Sequence, residues 1–582
     1  MQPVISNQQL LRSVPEIRLV HGTSEKLKLV MDWDGPVCMA RLTNEGALPV
    51  NVQEVLLFTG VLPAEDIPFY GEGFQQNGQR GGTLQHPEDI GCQPDRLEFK
   101  LPQAEGQLVA YSLAILQPTG RPTTLMAFTS CHRFSGEFRF CDRSFEVVLD
   151  TEGLTLAAGE TWVLEEFMLI SGESKADLLN SLASRIEQNH PRLVFPLTPA
   201  GWCSWYTFGP DVTEEDVLRN LEVIARDTPG LKFIQIDDGY QPFMGDWLEP
   251  GDKFPHGIRW LCEGIRNRGF EPAIWVAPFI AGQDSKLFRD HPDWFVTGQD
   301  GKPVRAEEVS YGGWRCTPWY VLDGTHPRVQ EHFSRVFQVM HEEWGCTYFK
   351  LDACFWGALH QCHRNDPNAT RIEAYRRGMA AILRGARGSF ILGCNAPVWG
   401  SLGLVHGNRV TNDIMRTWDK FKVTACELFN RNWQNNHLWI NDPDCLILNN
   451  AQGSRLTPDE FSFHIAMIQA SGGMILSGDD MTALNPSQLE VINRLLPPGN
   501  RAVRFKDDSF SIGVQEFPDH QVLFFFNWDD QERNLQYELS QPVLVADFWS
   551  SEKFGVRSGS FSIDLSPHSA RVFILSIPDF TA

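Results

Sequence analysis

Between residues 196 and 490 the chain alternates short apolar runs with helical stretches, and this rhythm restricts the fold more than any other feature of the sequence. The runs are AGWCSW, LKFIQIDD, EPAIWVAPF, CTYFKLD, SFILGCNA, GNRVTND, HLWIND and GGMILSGD, eight in all. Parallel strands need a crossover of a dozen or more residues, usually a helix, and eight such strand–helix units close a (β/α)8 barrel of about 250 residues or more. The spacing therefore predicts a (β/α)8 TIM barrel over residues 196–495. The stretch from Asp284 to Tyr320, rich in Trp and Gly, reads as a long loop at the barrel mouth.

The flanks have a different texture. Residues 1–172 carry short alternating runs such as LKLVMDW, VCMARLTN and VNVQEVLLF separated by turn residues, the pattern of a β-sandwich. Residues 173–195 read as a helical linker, with Ser174 as cap and Leu178, Leu179, Leu182 and Ile186 at helical spacing. Residues 496–582 return to short strands, for example SFSIGVQEF and QVLFFFNW, predicting a small C-terminal antiparallel β-sheet domain. The expected fold class is thus multidomain: a central (β/α)8 barrel, an N-terminal β-supersandwich and a C-terminal β-domain.

Composition narrows the function. Fifty basic against 73 acidic side chains give a net charge of −23, which repels nucleic acid and anionic lipid. A neutral or cationic ligand is expected, with no nucleic-acid or membrane partner. No apolar run approaches about 18 residues and the start lacks a charged segment followed by an apolar one, so the chain as given reads as cytoplasmic. Thirteen cysteines without C-x-x-C pairs, several inside apolar runs, read as reduced and buried thiols. Eighteen Trp and 39 Phe fit core packing and also a sugar site, where flat rings meet the C–H faces of a pyranose.

Active sites of such barrels sit at the C-terminal ends of the strands. Here those ends carry Trp205 and Tyr206, Asp237 and Asp238, Trp275, Lys350 and Asp352, Cys394 and Asn395, Arg409 and Asp413, Asp442 and Asp444, and Asp479 and Asp480. A single Asp in such a place is commonly only a helix cap. Repetition at successive strand ends points instead to a site. No D-x-D-x-D-G loop, His-x-His pair or G-x-x-x-x-G-K is present, so neither metal nor cofactor is expected. Carboxylates with Trp at a barrel mouth fit glycoside hydrolysis, which uses one ionised and one protonated acid. Lys350 and Asp352, two apart on a strand, share a face, and the ammonium favours an ionised Asp352 suited to be a nucleophile. Asp413, on another strand among further acids, is expected to have a raised pKa suited to a general acid.

The segments GWCSWY, FIQIDDGY with GDWL following, IWVAPF, YFKLD, FILGCNAP and NDPDCLIL together resemble glycoside hydrolase family 36, the melibiase-type α-galactosidases. The resemblance implies a retaining exo-α-galactosidase acting on galactose-containing oligosaccharides such as melibiose or raffinose. It implies Asp352 as nucleophile and Asp413 as acid/base. Asp237, Asp238 and Lys350 would bind sugar hydroxyls, Cys394 and Arg409 would line the pocket near the 2-hydroxyl, and Trp205, Tyr206 and Trp275 would complete its walls. The segment Gly71 to Gln75 resembles the loop that the family's first domain extends toward the barrel. Some relatives self-associate, so the resemblance admits a homo-oligomer.

One departure is plain: Arg409-Val410-Thr411-Asn412-Asp413 stands where bacterial members commonly read R-I-G-P-D, and Met415, Arg416 and Trp418 follow. These three are expected to reshape the leaving-group side. An α-N-acetylgalactosaminidase of the same family is the alternative, needing room beside the 2-hydroxyl that Cys394 and Arg409 would restrict. A non-catalytic sugar-binding protein is disfavoured because both acid positions hold Asp.

Overall fold

The computed structural model describes residues 2–23, 26–451 and 453–578. Each of the eight apolar runs forms a strand: β1 (Ala200–Cys203), β2 (Phe233–Ile236), β3 (Glu271–Val276), β4 (Tyr348–Leu351), β5 (Phe390–Gly393), β6 (Gly407–Arg409), β7 (Ile440–Asp442) and β8 (Ile475–Ser477). They make one sheet in the order β7-β6-β5-β4-β3-β2-β1-β8, a nearly closed parallel barrel. Between its two ends the Met474 N–H donates to the Asn441 carbonyl at 2.9 Å, and Leu446 bridges Ser477 in parallel. A Cβ on the neighbouring Gly473 would lie 2.0 Å from that carbonyl, so only glycine permits the approach.

Strands buried on both faces read as continuous apolar runs, which is why these segments were legible. Most of the helices between them carry a side-chain N-cap. Thr213 and Thr370 each form a reciprocal capping box, at the helices Glu214–Asp227 and Arg371–Ala386.

Ahead of the barrel, a five-stranded and a nine-stranded sheet share a core of residues such as Leu57, Phe58, Phe128, Phe138, Val147 and Phe167. The helix Lys175–Asn189 follows, with the Ser174 hydroxyl accepting from the Asp177 N–H and Leu178, Leu179, Leu182 and Ile186 buried. After the barrel a six-stranded antiparallel sheet packs its own core around Leu523, Phe525, Phe561 and Phe573. The stretch from Asp284 to Tyr320 holds two short helices, Lys286–Asp290 and Ala306–Val309, and its end pairs with Ile280–Gly282 through the strand Trp319–Val321.

By internal packing the chain groups into two units. One comprises Met1–Val194, Gln241–Asp252 and Trp275–His406, and the other Phe195–Tyr240, Lys253–Ile274 and Gly407–Ala582. Among the described residues no helix is long and apolar enough to cross a membrane, and no group of three or more His, Cys, Asp or Glu is placed to hold a metal ion.

Candidate active site

In the first unit the candidate nucleophile sits one residue beyond β4. The Asp352 N–H donates to the Val276 carbonyl at 2.8 Å, which fixes the strand end. The Ala353 N–H reaches its Oδ1 at 2.6 Å and the Trp275 indole Nε1–H its Oδ2 at 3.0 Å. One N–H on each oxygen stabilises a carboxylate over its acid. The chain then turns through Ala353 at φ 52°, a left-handed conformation that costs a residue with a Cβ about 1–2 kcal/mol. Strain of this kind concentrates at functional sites. Lys350 is buried on the same face of β4.

Trp275 is 1% exposed. Its ring packs at steep angles against Trp247, 5.9 Å away, and Trp314, 6.1 Å away, and its N–H orients the carboxylate. Cys394 is buried just beyond β5, where its own N–H donates to the Leu351 carbonyl at 2.7 Å. The N-terminal segment also reaches these strand ends. Gln75 pairs with Pro397, the Val398 N–H donates to the Phe74 carbonyl at 2.8 Å, and the Asn395 N–H donates to Gln76 Oε1 at 2.6 Å. Half-buried Asp95, which sequence reasoning did not single out, holds that segment by accepting from the Phe74 N–H at 2.8 Å and Gln75 Nε2 at 3.0 Å. Burial pushes Asp95 up to about 7.

In the second unit Asp237 and Asp238 follow β2 and are each 1% exposed. Asp237 Oδ2 accepts from Gln235 Nε2 at 2.6 Å and from the Cys203 thiol at 3.4 Å, and Oδ1 accepts from the Asp238 N–H at 2.9 Å. Trp205 and Tyr206 open the short helix Trp205–Phe208 and are half-buried.

Arg409, at the end of β6, is 2% exposed and holds three carboxylates: Asp413 at 2.9 Å, Asp442 at 3.2 Å and Asp444 at 2.8 Å. The expected crowd of acids around Asp413 is present, but the buried carboxyl within it is Asp444. Burial, and then the neighbouring Asp413 and Asp442, push Asp444 up to about 6 against the opposing pull of Arg409. The Asp413 side chain is 60% exposed, accessible to a leaving group and to water. Asp444 also accepts from the Tyr206 hydroxyl, from the Ile414 N–H at 2.7 Å and from the Cys445 N–H at 2.7 Å, so one buried side chain secures Arg409 and the backbone beside Asp413. Its place at a strand end was visible in the sequence, whereas these partnerships were not.

The departure from the R-I-G-P-D pattern is locked by a residue that the sequence did not flag. Glu427, buried on the helix Trp418–Arg431 and pushed by burial up to about 7, accepts from the Asn412 N–H at 2.6 Å. The three residues that follow differ in their partners. Arg416 pairs with Asp479 at 2.7 Å and donates to the Tyr206 carbonyl at 2.9 Å, because a buried guanidinium requires a charged partner. Trp418 stacks on His568 at 4.1 Å. Met415, two residues after Asp413, is 56% exposed.

Residues 187–380 match the Melibiase family model. The chain is 28% identical over 208 residues to the A type blood α-D-galactosamine galactosaminidase of Flavonifractor plautii, an alignment covering 33% of this chain and 18% of that protein. It is 23% identical over 393 residues to the probable α-galactosidase C of Aspergillus flavus, covering 60% of this chain and 48% of that protein. The aligned stretches thus span less than half the length of these curated relatives. The solved α-galactosidase of Thermus thermophilus, in complex with p-nitrophenyl α-D-galactopyranoside, superposes with a TM-score of 0.65 at 23% identity, covering 86% of this chain and 98% of that one. That likeness establishes the shared fold, and the stretch 187–380, which holds the first strands of the barrel and Asp352, is similar to the Melibiase family model.

Proposed function

We propose that the protein is a retaining exo-α-galactosidase that removes terminal α-D-galactosyl residues from oligosaccharides by double displacement. The observation that carries this reading is the Asp352 carboxylate, held at the end of β4 by one N–H donor on each oxygen. A nucleophile must be ionised and aimed, and donors on both oxygens do both. Asp413 serves as acid/base, with its exposed carboxyl placed by Arg409. It protonates the departing glycosidic oxygen and then takes a proton from the water that releases the sugar, as microscopic reversibility requires. Asp237, Asp238 and Lys350 recognise sugar hydroxyls, and Trp205, Tyr206 and Trp275 shape the walls.

The galactoside preference draws support from the Aspergillus and Thermus relatives. The second reading, an α-N-acetylgalactosaminidase, has the Flavonifractor relative in its favour. The resemblance assigns Arg409 to the side of the 2-hydroxyl, and its guanidinium, engaged by three carboxylates, is not free to swing away for an acetamido group. A panel of 4-nitrophenyl glycosides tests the choice. Turnover of the α-galactoside with at least about 10⁴-fold discrimination against the α-glucoside is expected of a site with buried polar groups. Preference for the α-N-acetylgalactosaminide would replace the first reading with the second. Proton NMR of the first product should show α-galactose before mutarotation, and an initial β-anomer would remove the double displacement.

A further inference from the structure

The five-stranded sheet of the sandwich contains the strands Val50–Val61, Ser144–Leu156 and Ser135–Cys141 as neighbours. Strand alternation sends Phe138, Phe140, Phe145, Val147 and Leu149 into the core, and the intervening Glu137, Arg139 and Asp150 to the opposite face. On an ordinary sandwich that charged face would meet water. Here, in the same unit, residues 360–371 of the loop after β4 lie over it and leave a cavity of about 700 Å³. That volume falls in the range of about 300–1,000 Å³ typical of small-molecule sites. None of the residues proposed for catalysis or galactose binding lines it.

Two buried polar groups on its wall lack hydrogen-bond partners: the Nε of Arg371, 2% exposed, and the Nδ1 of His360, 6% exposed. Around Arg371 the contacts are long: Asp150 accepts from its Nη2 at 3.4 Å, and Glu152 and Glu137 stand off at 3.8 Å and 4.0 Å, whereas Arg139 on the same wall contacts Glu54 and Glu137 at 2.8 Å. Glu152 is held in this place by a bulge. It sits at φ 55° where the strand register shifts, and accepts from the Arg371 N–H at 2.9 Å at the start of the helix Arg371–Ala386.

A group that meets both the guanidinium and its neighbouring carboxylates from the cavity side must accept from one and donate to the other, and a hydroxyl does both. An anion meets five acidic side chains on the lining against three arginines, and an apolar ligand would leave these charges buried without partners. We infer that this cavity is a second, non-catalytic binding site for a neutral polyhydroxylated ligand, a short oligosaccharide, held between Arg371 and the carboxylates of Glu137, Asp150 and Glu152.

The test uses the full chain and sugars without α-galactose, so that it stands apart from the proposed activity: saturation-transfer NMR with maltotriose, cellotriose and sucrose. At least one should receive transfer from the unaltered protein. Thr155→Trp, at the exposed rim, should abolish it while leaving Tm and galactoside hydrolysis unchanged. Gln53→Trp, also at the rim, serves if the first variant lowers Tm. His360→Phe should weaken binding about tenfold, the loss of one hydrogen bond. No transfer from any of the three sugars would make this a hydration cavity only, and transfer that persists in a folded rim variant would place the bound sugar elsewhere. Either result overturns the proposal.

Discussion

The two proposed catalytic carboxylates are built on different principles. Asp352 receives a donor on each oxygen from rigid neighbours, one an indole packed between two other tryptophans. Asp413 stands 60% exposed, and its order comes from behind, from a buried guanidinium that Asp442 and Asp444 hold in turn. A nucleophile has one task in one protonation state, so a donor-rich setting suits it. An acid/base changes protonation twice in each cycle and must meet leaving group and water, so exposure with a charge partner suits it better.

The strongest way to break this comparison is Asp352→Ala, expected to lower kcat by roughly 10⁵-fold because the covalent step is lost. Circular dichroism and Tm should stay near those of the parent, and near-normal turnover would sink the nucleophile assignment. Asp413→Ala should cost natural galactosides about 10³-fold in the glycosylation step and aryl galactosides with good leaving groups far less. Equal losses on both substrates would make Asp413 structural, with its exposure incidental.

Trp275→Phe sharpens the first half of the comparison. It keeps the ring and removes the donor to Asp352, and a hydrogen bond to a charged group is worth about 1.5–3 kcal/mol, so kcat should fall about 10- to 100-fold with KM little changed. A pure packing role would lower Tm and leave kcat intact.

The smallest effect concerns the N-terminal segment beside the first unit's strand ends. Asp95 titrates near 7 in the fold against an ordinary value of 3.8, so the folded state holds more protons between those values. Stability therefore falls as pH rises from about 4 to about 7, and the group's full penalty is present above that window. Asp95→Asn should raise Tm by a few degrees at about pH 8, with the gain vanishing near about pH 4. A pH-independent difference would mean that the carboxyl is not the titrating group.

The placement of side chains at the strand ends was readable from spacing, because an apolar run bounded by turn residues declares where a strand stops. Thus Asp352 fell after YFKL and Arg409 after GN without any knowledge of contacts. Direction and partnership were not readable. Trp275 reads as a pocket wall, and nothing in its spacing tells that its indole N–H also meets Asp352; nor does spacing tell that Arg416 pairs with Asp479. Glu427, fifteen residues beyond Asn412 and on a helix, gave no sign that it pins the loop of the acid/base.

The sequence by itself determined the eight strands, the capped helices between them and the set of carboxylates at their ends, since periodicity, caps and turns act over a few residues and depend on local chemistry. Only the tertiary structure decided which carboxylate is exposed, which is crowded and which receives donors. Asp413 and Asp444 are the same residue type at comparable strand ends. One stands in solvent and the other is pushed up to about 6, because burial and neighbouring charge are set by segments that meet only after folding.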